Sequence, residues 1–97
     1  MEAKLSDLEN AAIGAFSNGD DICIVVGNIA DGSIHNVARF LRDEARAFFG
    51  SVKESGSAKG SVPGRWDAHV VVTTTAQRAM AFIRERLGGT PNQMRPQ

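Results

Sequence analysis

The chain has no tyrosine, one tryptophan, two histidines and a single cysteine in 97 residues. With Cys23 alone, no intrachain disulfide forms, and this fits a reducing compartment. There is no long hydrophobic run. Apolar stretches such as residues 22–26 and 70–72 are far short of a membrane span. The opening residues lack a basic stretch followed by an apolar one, so they do not read as a secretory signal. The expected location is the cytoplasm, with no membrane partner. Charge of one sign is also missing, since 11 basic residues balance 11 acidic ones.

That balance hides an asymmetry. Residues 1–31 hold one basic residue against six acidic, whereas residues 32–97 hold ten basic against five acidic. Such a split suits a basic binding face or head-to-tail association. It is equally produced by two halves that pack together and neutralise each other. The pI near 6.7 argues against a dedicated nucleic-acid binder. Nucleic acid remains the lesser partner expectation, carried by the basic loop around Trp66.

What the chain does contain is periodicity. Ser6-Asp7-Leu8-Glu9 matches a capping box, and Leu5, Leu8, Ala12, Ala15 and Phe16 follow at helical spacing, so a first helix is predicted up to Asn18-Gly19. Residues 22–26 are continuously apolar and β-branched, a pattern expected of a strand covered on both faces. A second helix starts at Asp31 or Ser33, buries Ile34, Val37, Leu41, Ala45 and Phe48, and stops at Gly50. Residues 68–73 form a second strand. A third helix starts near Thr74 or Thr75, where Thr74-x-x-Gln77 is another capping-box match, and ends at Gly88-Gly89.

The predicted fold is therefore a small α-β-α-β-α domain of the α/β class over residues 1–89. Its sheet is short and mainly parallel. Two strands leave open edges, so either an extra edge strand or homo-oligomerisation completes the sheet. Residues 50–66, rich in glycine and serine, read as a flexible loop in which Pro63 would confine any strand to an edge. Residues 90–97 read as a disordered tail.

Catalytic constellations are scarce. Gly27-x-x-x-x-Gly32-Ser33 has P-loop glycine spacing but lacks the lysine that holds the phosphates. Cys23, His35 and His69 are too scattered for a metal site in the predicted arrangement, and a Cys23–His69 pair reads more simply as a structural cysteine beside a hydrogen-bonded histidine. No catalytic residue, metal or cofactor is assigned, and an enzyme is the least favoured class.

Two binding expectations remain. In a parallel sheet both strand-to-helix loops meet at one edge. There Gly27, Asn28, Gly32, Ser33, Thr74 and Thr75 would hold a nucleotide or other phosphorylated molecule at the N-termini of the second and third helices. Helix capping alone also accounts for these residue types. The favoured expectation is a regulatory or inhibitory protein that acts by binding an acidic protein surface, as a homo-oligomer, through Arg39, Arg42, Arg46, Lys59, Arg65 and Trp66.

Overall fold

A computed structural model describes residues 12–88 and the strand Gln93–Pro96. The first element is a strand, β1 (Ala12–Asn18), followed by β2 (Asp21–Ala30), a 3₁₀ turn (Asp31–Ser33) and helix α1 (Ile34–Phe49). Then come β3 (Glu54–Lys59), β4 (Arg65–Thr73), α2 (Ala76–Arg86) and β5 (Gln93–Pro96). The sheet order is β3-β4-β2-β1-β5. The first four of these strands pair antiparallel throughout, and β5 runs parallel to β1.

The α-β-α-β-α expectation with a mainly parallel sheet is thus overturned: the order is β-β-α-β-β-α around an antiparallel sheet. Residues 12–16, assigned to a first helix, are strand β1. The earlier part of that assignment, residues 6–11, lies outside the described residues. Ile13 and Ala15, two residues apart, both join the core beside their β2 partners Val26 and Ile24, the two-residue period of a strand. Asn18-Gly19 does not end a helix. Asn18 pairs with Asp21 across a two-residue loop whose first position is Gly19 at φ +65°, the pattern of a type II′ hairpin turn.

A strand-helix-strand connection between parallel strands does exist, but it joins β2 to β3, and β4 is inserted between them. Residues 54–59 supply this strand from within the segment expected to be a flexible loop. The sheet therefore needs no second copy to reach four strands. The expected tail contains β5, parallel to β1 over Gly14–Ser17.

One sheet face carries the core. Ile13, Ala15, Ile22, Ile24, Val26, Ala68, Val70 and Val72 are buried against Val37, Leu41 and Ala45 of α1 and Phe82 and Ile83 of α2. Each large buried side chain contributes about 1.5–3 kcal/mol by leaving water. The helices follow the sequence closely. α1 ends at Gly50, whose φ of 90° lets its N–H return to the Arg46 carbonyl. Thr75 rather than Thr74 caps α2, its hydroxyl accepting from the Arg78 N–H at 3.2 Å. At α1 the expected side-chain cap from Asp31 or Ser33 is not made.

Candidate functional site

The chain folds into a tight hairpin between β3 and β4. Val62-Pro63-Gly64-Arg65 has proline second and a glycine at φ +77° third, and the Arg65 N–H donates to the Val62 carbonyl at 3.1 Å. That is a type II turn, for which proline presets one dihedral and glycine accepts the other. Below it the Gly60 N–H donates to the Arg65 carbonyl at 2.8 Å, closing the ladder. The tip is held by its backbone, and Val62 stands out from it at 55% exposure, the exposed large hydrophobic residue among those described.

Around this tip the structure brings together three of the six residues expected to bind a partner. Lys59, Arg65 and Trp66 line a cavity of about 380 Å³ with Asp31, Val62 and Pro63. Trp66 is half-buried against the core, and its indole N–H donates to the Asp31 carboxylate at 2.8 Å. It therefore both plugs one end of the sheet and fixes the 3₁₀ turn to β4. Lys59 and Arg65 are exposed and make no ion pair among the described residues.

The other three arginines lie along α1. Arg39 and Arg46 are exposed, and Arg42 is paired with the neighbouring Asp43 at 3.0 Å. α1 starts at the tip end of the sheet, because Ala30, just before its 3₁₀ turn, pairs with Arg65. Arg39 lies about 8 Å along the axis from Ile34, so the arginine row leads away from the tip.

Several other cations of the basic half hold the fold together. Lys53 donates to Asp21 at 2.7 Å, and Thr73 donates to the same carboxylate at 2.8 Å. These bonds hold the Asp21 carboxyl below its ordinary value, the Lys53 bond first, and the Asp21 bond holds Lys53 above its own. Arg86 pairs with Glu44 at 3.2 Å and lies over the Phe48 ring at 5.4 Å. Arg78 lies over Phe48 and Phe49 at 5.1 and 5.8 Å and donates to the Phe48 carbonyl. The Asp21–Lys53 pair links the acidic and basic halves of the chain directly.

The expected phosphate site does not assemble. β2 and β4 run antiparallel, so the N-termini of α1 and α2 lie at opposite ends of the sheet. Gly27 and Asn28 line a cavity of about 300 Å³ on the sheet face away from the helices, with Phe16, Val25, Arg65 and Asp67. Thr74 and Thr75 line another of about 480 Å³ at the far end, beside Asp20. Gly32 and Ser33 line neither. Gly27 and Asn28 instead shape the sheet. They form a bulge opposite Asp67, with Asn28 at φ 65° and its N–H donating to the Asp67 carboxylate at 3.3 Å. A Cβ on Gly27 would stand 2.8 Å from that carboxylate oxygen.

Cys23 and His69 share the open face but are offset by one pairing step, since Cys23 pairs with Val71 and His69 with Val25. Burial, with the Glu54 charge second, pushes the Cys23 thiol up, the opposite of an activated nucleophile. No group of three or more His, Cys, Asp or Glu able to hold a metal occurs among the described residues. None of the helices described is long and apolar enough to cross a membrane.

Sequence reasoning missed Val62. Its signal was present in Val-Pro-Gly-Arg, which specifies a type II turn and so a fixed tip rather than a loose loop. Compared with known proteins, the chain matches no family model, no curated protein and no solved structure.

Proposed function

We propose that this is a non-enzymatic regulatory or inhibitory protein that binds another protein through the β3–β4 tip. The observation that carries the reading is Val62 presented on a backbone-locked turn between two exposed cations, Lys59 and Arg65, that make no ion pair among the described residues. A pre-ordered apolar tip loses little conformational entropy on docking. Arg65 and the accessible part of Trp66 are residue types that dominate interface energetics. The two cations favour a partner with an acidic surface, and steer it. Arg39 and Arg46 extend the same charge along α1 toward a larger partner. The lone, free Cys23 suits the reducing cytoplasm, where we place the protein.

The phosphorylated-ligand alternative loses its basis, because its six residues are divided between separate parts of the fold. Homo-oligomerisation also loses its original motive, because β3 completes the sheet within one chain. The test is affinity capture with immobilised wild-type protein against the Val62→Asp/Arg65→Glu double variant. Specific partners should be retained by the wild type, weakened at least about tenfold by the variant, and eluted by salt. Retention that ignores both the substitutions and salt would contradict the reading.

A further inference from the structure

The two edges of the sheet are treated differently. β5 lies against the outer side of β1, whereas β3 has β4 on one side and, among the described residues, no strand on the other. Edge strands are normally blunted by proline, by a bulge or by charges along their length. β3 has none of these. It reads Glu54-Ser-Gly-Ser-Ala-Lys59, its register with β4 is unbroken, and its two charges sit at its ends. Every residue in it except the half-buried Gly56 is exposed.

The pairing also fixes which backbone groups are free. Gly60 donates to Arg65, its register partner, so the even-numbered residues of β3 bond to β4. The N–H and C=O groups of Ser55, Ser57 and Lys59 then point outward, a template for one further strand that no described residue occupies.

We infer that β3 is a self-pairing edge, at which a second copy of this chain adds its own β3 antiparallel about a two-fold axis at Ser57. The charges and the free backbone groups together select this register. Centred on Ser57, Ser55 faces Lys59 of the second copy, Gly56 faces Ala58, and Glu54 faces Gly60, so no like charges meet. Centring on Gly56 instead would set Lys53 against Lys59 of the second copy, but Lys53 is already committed, its N–H donating to the Val71 carbonyl at 2.8 Å and its ammonium to Asp21. Centring on Ala58 would draw on residues 60–62, which are bent into the tip. The chosen register gives about six backbone hydrogen bonds. It makes a continuous sheet through both copies and leaves the tips at opposite ends of the joined strands, about 30–35 Å apart. Six residues of contact imply a weak dimer, with a dissociation constant on the order of 10–100 μM.

The decisive variant is Ser57→Pro. Its N–H points away from β4, so proline removes an outward donor without touching the intramolecular ladder. Sedimentation equilibrium should give a concentration-dependent dimer for the wild type and a monomer for Ser57→Pro, with unchanged circular dichroism. A wild type that stays monomeric up to about 500 μM, or a dimer that Ser57→Pro does not weaken at least about tenfold, overturns the inference. Should Ser57→Pro fail to fold, cysteine cross-linking in a Cys23→Ser background decides. Facing residues at position 57 lie about 5.5 Å apart, within disulfide range, whereas the two copies of position 55 are roughly 14 Å apart. Mild oxidation should link Ser57→Cys and not Ser55→Cys; linkage of both or of neither overturns the inference. The edge and the tip meet at Lys59, but Val62 and Arg65 lie beyond the paired residues of β3. Val62→Asp/Arg65→Glu should leave the dimer intact, so loss of either claim is distinguishable from loss of the other.

Discussion

Asp21 is the residue where the two halves of the chain are tied, because it accepts from both Lys53 and Thr73. Its carboxyl is held below the ordinary 3.8 and the Lys53 ammonium above the ordinary 10.5. A lowered acid stabilises the fold above its unfolded value, and that contribution fades as pH falls through the folded value. A raised base stabilises below its unfolded value and fades as pH climbs through the folded one. The pair is thus fully effective between about pH 4 and 10. Lys53→Met should lower the urea midpoint across that window and shift the acid limb upward. Because the pair is exposed, molar salt should shrink the difference. Unchanged midpoints at low salt would show that the pair contributes nothing. At the start of α2, Thr75→Ala should cost about 1 kcal/mol in urea denaturation by removing the acceptor for the Arg78 N–H. An effect below about 0.3 kcal/mol would mean that water replaces the hydroxyl.

At the scale of elements, α1 and α2 were legible because each combines a long apolar stripe with a glycine or threonine boundary. β1 was not, because Ala12, Ala15 and Phe16 satisfy helical spacing while Ile13 and Ala15 satisfy strand alternation. Gly14 between them, unfavourable inside a helix, was the discriminating residue. β3 was illegible for a different reason. Neither of its faces is covered, so Glu-Ser-Gly-Ser-Ala-Lys carries no hydrophobic period, and its conformation is imposed by pairing with β4. The apolar run at residues 22–26 misled because Cys23 and Val25 lie half-buried on the open face, with no described helix packed there. The hairpin turn gives a direct check. Gly19 sits at φ +65°, so Gly19→Val should destabilise by about 1–2 kcal/mol in thermal or urea unfolding. A neutral outcome would exclude the positive-φ turn. Amide exchange tests β3 itself: Gly56 and Ala58, bonded inward, should exchange more slowly than Ser55 and Ser57 in dilute protein. Uniformly fast exchange across residues 54–59 would remove β3 from the sheet.

At the scale of the molecule, the candidate site was half legible. Lys59, Arg65 and Trp66 were singled out by residue type and do come together, whereas Val62 was overlooked although Val-Pro-Gly-Arg encodes the turn that presents it. The phosphate site failed as a whole because it depended on strand direction, a property that the local sequence does not encode. Docking of partners on the β3–β4 tip is the central claim. A photo-cross-linking side chain placed singly at positions 62, 39, 84 and 16 samples the tip, α1, α2 and the open sheet face. On irradiation in cells, position 62 should give the strongest discrete adducts with other proteins, position 39 weaker ones, and positions 84 and 16 none. Adducts concentrated at position 16 or 84, with none at 62, would contradict the claim and move the binding surface to the open face or to α2.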